Sequence, residues 1–138
     1  SIQGIFHPNY MPIHQGAAYL VKQPHMAVLR GEGGEVEVRP NKPFDVCTVH
    51  NGVMDVEKWS RILPETRHPT DEEMDPNRLL AIWSGAHQDD YADAAIQGTM
   101  AVVLKLMNKA DNETDAMAMA KSVWQNRLAG QRIHINLP

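Results

Sequence analysis

The stretch from Arg30 to Lys42 gathers the residue types that handle phosphate. Gly31, Gly33 and Gly34 alternate with Glu32 and Glu35, and Arg30, Arg39 and Lys42 flank the run. Glycine lets a backbone come close to a ligand. Arginine and lysine engage phosphate oxygens, and carboxylates can bridge Mg²⁺ to a phosphate. A dedicated phosphate cradle wants backbone N–H groups at a helix start, and no helix is predicted after this turn. Glu32, Glu35 and Glu37 would repel a bare phosphate unless a divalent cation sat between. The same residues also suit a tight turn at a strand end with solvated charges on either side.

Other chemistry is thinly represented. The seven histidines include no His-x-His or His-x-x-x-His pair, so no zinc spacing is present. The one cysteine, Cys47, falls in a predicted strand, where a buried and inert thiol is expected. It also excludes an intramolecular disulfide framework. Ser60 and Ser84 lack the Gly-x-Ser-x-Gly elbow of a hydrolase. No Walker A or Gly-x-Gly-x-x-Gly pattern occurs.

The elements that must position the glycine run begin with a short apolar strand over residues 2–6, ended by His7-Pro8. Asn9 caps a helix that tolerates Pro12 in its first turn and stops before Pro24. A continuous apolar strand follows over 26–29. Strand, helix, strand in so few residues predicts a parallel βαβ unit. Ligands bind at the carboxyl ends of such strands, where the glycine run lies. Residues 35–39 alternate strictly and read as a half-exposed edge strand. Residues 45–50 alternate again, and Asn51-Gly52 turns them into a short strand over 53–56. Residues 64–76 hold three prolines and five acids and read as a surface loop.

Three helices close the chain. Asp75-Pro76 opens one that ends at Gly85. A second spans about 90–108, with a later half apolar nearly all round, which predicts burial on both sides around 101–106. A third runs from Asn112 or Thr114 to Gly130, with Ala116, Ala120 and Trp124 on its apolar stripe. Residues 133–135 form a last short strand or a tail.

The 138 residues carry a net charge of −4 and are 43% apolar, enough for one domain with its own core. Nothing global advertises a polyanion or an anionic membrane. The acid is concentrated in residues 51–100, which hold ten acidic and four basic side chains. No apolar run approaches the roughly 18 residues of a membrane span. No leader pattern opens the residues given, and the expected compartment is cytoplasmic.

The ordered set of segments resembles the C-terminal α/β portion of the anthranilate phosphoribosyltransferase (TrpD) family, glycosyltransferase family 3. The stretch from Met26 to Glu37, Ile82-Trp83-Ser84-Gly85, Asp93-Ala94-Ala95 and Lys109-Ala110-Asp111 carry the resemblance. His7-Pro8-Asn9-Tyr10, Gly31 to Glu35 and Pro40-Asn41-Lys42-Pro43 are closer to a branch of TrpD-like, YbiB-type paralogues that bind nucleic acid. The enzymes of the family transfer a phosphoribosyl group from phosphoribosyl pyrophosphate to anthranilate with Mg²⁺, and an Asp-Glu pair helps hold the metal. Here Val36 replaces the aspartate and Glu37 keeps the second acid.

The resemblance therefore implies an α/β fold with a mixed, mostly parallel sheet and flanking helices. Residues 1–138 would form the C-terminal part of a larger phosphoribosyltransferase-type domain. The implied function is nucleic-acid binding in a full-length, non-biosynthetic paralogue, a homodimer through an N-terminal helical domain. Arg30, Arg39 and Lys42 are the expected contacts, and Glu37 is the one candidate metal ligand. The alternative is a Mg²⁺-dependent transferase that is inactive in this portion, with no cofactor held by these residues alone.

Overall fold

The computed structural model describes residues 1–31, 33–64 and 75–128. Its first three elements follow the expected parallel unit. Strand β1 (Ile2–Gly4) leads into helix α1 (Tyr10–Leu20), and strand β2 (His25–Leu29) returns parallel to β1, with Gln3 opposite Val28. The chain then departs from a parallel sheet. Strand β3 (Phe44–His50) lies antiparallel to β2, and β4 (Val53–Trp59) lies antiparallel to β3, giving the order β1-β2-β3-β4. The sheet is mixed, with one parallel pair, and the mostly parallel expectation is corrected. Parallel neighbours need a crossover, usually helical. The link from β2 to β3 holds Pro40, Pro43 and three glycines, and its described residues form no helix.

Asn51 and Gly52 both take positive φ, 50° and 80°, the signature of the two-residue turn that matches strand twist. That turn fixes the β3–β4 register from His50 opposite Val53 to Phe44 opposite Trp59. The alternating stretch 35–39 is not a strand, which corrects a second expectation. Val38 alone of its valines is buried, and its N–H donates at 3.0 Å to Thr99 Oγ1 on a helix instead of to a ladder.

Helices cover both faces of the sheet. α1 packs on one side through Met11 and Ala18, meeting Ile5, Met26, Val28, Cys47 and Val49. Helices α3 (Asp90–Leu106) and α4 (Glu113–Gln125) pack on the other, where Ala101, Val102, Leu106, Ala116 and Ala120 meet Ala27, Leu29, Val46 and Trp59. Ala101 on α3 and Ala116 and Ala120 on α4 are fully buried in this layer. In the stretch 101–106 of α3, Ala101, Val102 and Leu106 are buried and the others are half-buried. Helix α2 (Pro76–Ser84) opens with Asp75 accepting from the Asn77 N–H and closes on left-handed Gly85, as the sequence predicts.

α4 ends at Gln125, before the expected Gly130. In the following turn Arg127 stacks on Trp124, 3.7 Å from the ring centroid, and donates to the carbonyls of Ile82 and Trp83. This ties α2 to α4. Gly130, the expected strand over 133–135 and most of the expected loop over 64–76 lie outside the described residues. Among the described residues, no helix is long and apolar enough to cross a membrane.

Candidate functional site

The carboxyl ends of β1 and β2 open onto a concavity of about 160 Å³. Arg30, Arg39 and Lys42 all line it, with Pro8, Met11, Pro43, Phe44 and Asp45. Residues 12 apart at most in sequence are brought to one depression because the 30–43 link doubles back over the sheet end. Arg30 follows β2 directly, and its Nε donates to Phe6 O at 3.1 Å, which aims the guanidinium beside the start of α1. Lys42 is exposed and Arg39 half-buried. Among the described residues that line it, three are cationic and one, Asp45, carries a carboxylate, and the cross-strand neighbour of Asp45 is Lys58.

The start of α1 adds to the field. Pro8 and Met11 line the concavity, and Asn9 makes no side-chain cap. The first turn of α1 has no acidic residue. The Tyr10 and Met11 N–H groups donate to His7 O at 2.9 Å and Pro8 O at 3.1 Å, so this start contributes its dipole and not open donors.

The glycine run forms the tight turn that is one of the two readings of its composition, with the Gly31 N–H donating to Glu35 O at 3.1 Å. The carboxylate of Glu35 folds back over the turn, and Glu35 Oε2 accepts from the Gly33 N–H at 2.7 Å. A Cβ at Gly31 or Gly33 would come within 2.7 and 2.6 Å of that carboxylate. Gly34 takes φ 99°, open to glycine and strained for other residues. Gly31, Gly33 and Gly34 thus form a turn that holds its own anion, where a phosphate cradle would hold a ligand's. Glu32 lies outside the described residues.

Glu37 is exposed, and among the described residues no group of three or more His, Cys, Asp or Glu side chains is placed to hold a metal ion. The structure brings Glu37 into no ligand set. Cys47 is buried on the α1 side, where burial and, secondarily, the Asp45 charge push its thiol pKa up. It is held in the unreactive thiol form.

Sequence spacing missed a second group, along the α3 face of the β3–β4 hairpin. Residues of β3 and β4 that face α3, with Lys105, Leu106 and Asn108, line a groove of about 350 Å³. In it Lys105 pairs with Glu57, which also accepts from Trp59 Nε1 at 3.0 Å. His50 lines the groove and meets His25 across the strands. The two histidines are 25 residues apart, so only the β2–β3 register could have revealed the contact.

Comparison with models of known protein families and with curated proteins finds no match to this chain.

Proposed function

We propose that this chain binds a polyanion of the nucleic-acid type through Arg30, Arg39 and Lys42, as the C-terminal part of a glycosyltransferase family 3-type protein that has left tryptophan synthesis. One observation carries the reading. Three cations that the sequence singles out converge on one depression at the carboxyl ends of the parallel strands. The start of α1 adds only its dipole, because the Tyr10 and Met11 N–H groups already donate to His7 O and Pro8 O. The net charge of −4 does not oppose the reading at contact distance. Charges farther than about 8–10 Å are largely screened at physiological salt.

The seated Glu35 carboxylate favours binding over phosphoribosyl transfer. A diphosphate would have to displace it before reaching the glycine backbone. A sequence-independent contact with a sugar–phosphate backbone needs only surface cations.

Fluorescence anisotropy of a labelled single-stranded oligonucleotide tests the reading. The Arg30→Ala, Arg39→Ala, Lys42→Ala triple variant should bind at least about tenfold more weakly than the parent. A Lys109→Ala, Lys121→Ala control, altered at exposed positions elsewhere, should stay close to the parent. Equal losses in both would reduce the effect to net charge and contradict a site at the concavity.

A further inference from the structure

At the end of the sheet remote from the basic concavity, His25 opens β2 and His50 closes β3, directly opposite each other in the antiparallel register. Their Nδ1 atoms lie 3.0 Å apart, with ring centroids at 4.5 Å and planes inclined by 51°. Both rings are half-buried and face the α3 side of the sheet. Two nitrogens so close share one proton when the pair is hydrogen-bonded. One ring donates and the other accepts.

We propose that His25 and His50 form a two-imidazole chelate for a borderline divalent transition ion, Zn²⁺ or Ni²⁺, bound between the two Nδ1 atoms while the proton they shared moves to Nε2 of the donor ring. Imidazole suits these ions. Metal–nitrogen bonds of roughly 2.0–2.1 Å across this 3.0 Å separation close an angle of about 95° at the ion. That angle fits octahedral coordination. Opening the nitrogens by a few tenths of an ångström reaches the tetrahedral angle.

The surroundings supply what a chelate needs beyond its two ligands. Asn108, held in the left-handed conformation at φ 55° just past the end of α3, places its side-chain Nδ2 3.3 Å from His50 Nε2, and a turn of the amide about its last bond exchanges that nitrogen for the oxygen. With its oxygen turned toward the ring, that amide would accept the Nε2 proton and fix the tautomer that leaves Nδ1 free to ligate. The C-terminal end of α3 brings partial negative charge to the same place. The groove beside His50 gives an entry path, and its ionised side chains are Asp55, Glu57 and Lys105. Lys105 is paired with Glu57, which leaves Asp55 as the groove's carboxylate without a cation, and it faces an approaching ion together with the Ser1 ammonium, which donates to His25 O at 2.7 Å. Water would complete the coordination sphere, so the ion should exchange readily.

Isothermal titration of the chain with Ni²⁺ and with Zn²⁺ at about pH 7.5 tests the chelate. The parent should bind one ion, and His25→Gln and His50→Gln should each weaken binding at least tenfold. His87→Gln, at an exposed loop position, should leave it unchanged. A thermal melt without metal reports whether each variant is folded. Zn²⁺ should raise the melting temperature of the parent and of neither pair variant. No ion bound by the parent, or binding that survives in either pair variant, overturns the proposal.

Discussion

The side-chain amide of Gln15 on α1 donates to the carbonyl of Thr48 in β3 at 2.8 Å. The same nitrogen donates to the carbonyl of Asp55 in β4 at 2.7 Å. Thr48 and Asp55 are opposite one another in the hairpin. A buried glutamine therefore clamps the helix onto both strands, where its neighbours in the α1 packing cluster are apolar.

Removing that clamp should cost stability. Gln15→Ala loses two hydrogen bonds and leaves a small cavity, and a loss of about 1–3 kcal/mol is expected in a urea melt. Gln15→Glu should be worse at neutral pH, because a carboxylate cannot donate and would face two carbonyl oxygens. A Glu variant as stable as the parent would show that the amide contributes nothing through donation.

Asp89 supplies a pH dependence of known sign. It caps α3 by accepting from the Ala92 N–H at 2.9 Å and pairs with Arg78 at 2.6 Å. The Ala92 hydrogen bond and then Arg78 hold its carboxyl below the ordinary value of 3.8, against the opposing effect of burial. A depressed folded-state pKa adds stability that is full above the unfolded value and is lost as pH falls through the folded value. Asp89→Asn should therefore destabilise at pH 7, while the gap to the parent narrows in acid below the ordinary carboxylate range. The cap itself is worth about 0.5–2 kcal/mol. Denaturant melts of both proteins across that range check this, and a gap independent of pH would exclude the ionised carboxylate as the cause.

Gly98 in the middle of α3 looks like a weak point that alanine should improve. Alanine gains about 1 kcal/mol in helix propensity. Here, however, its Cβ would meet Val38 Cγ2 at 2.4 Å and Ile62 Cδ1 at 2.5 Å. The isoleucine tip can yield, but a β-branched valine is stiff. Overpacking costs about 1–3 kcal/mol, so Gly98→Ala should be net destabilising by thermal melt. A stabilised variant would mean that the 35–39 link is loosely held on α3.

What the sequence made legible depended on local signals. The β1–α1–β2 unit, the Asn51-Gly52 turn and the Asp75 and Gly85 caps of α2 each rest on residues within one element or one turn. The direction of β3 was not legible, because alternation over 45–50 does not say which way the strand pairs. The 35–39 stretch misled for the same reason. Its alternation reflects one valine buried against α3, a contact 61 residues away in sequence. At the candidate site the cations were readable as types, and their convergence followed from the fold of the link. The seated Glu35 carboxylate was not foreseen, since composition shows a glutamate near glycines without showing where its side chain goes. The His25–His50 contact needed the register itself.

Whether Arg30, Arg39 and Lys42 engage a phosphate backbone is read most directly from the salt dependence of oligonucleotide affinity. Each phosphate contact contributes about 0.7–0.9 to the slope of log affinity against log salt. The parent chain should show a slope of about −2 or steeper, and the triple alanine variant should flatten it by about two units. An unchanged slope in the variant would contradict the account and leave these three side chains as solvated surface.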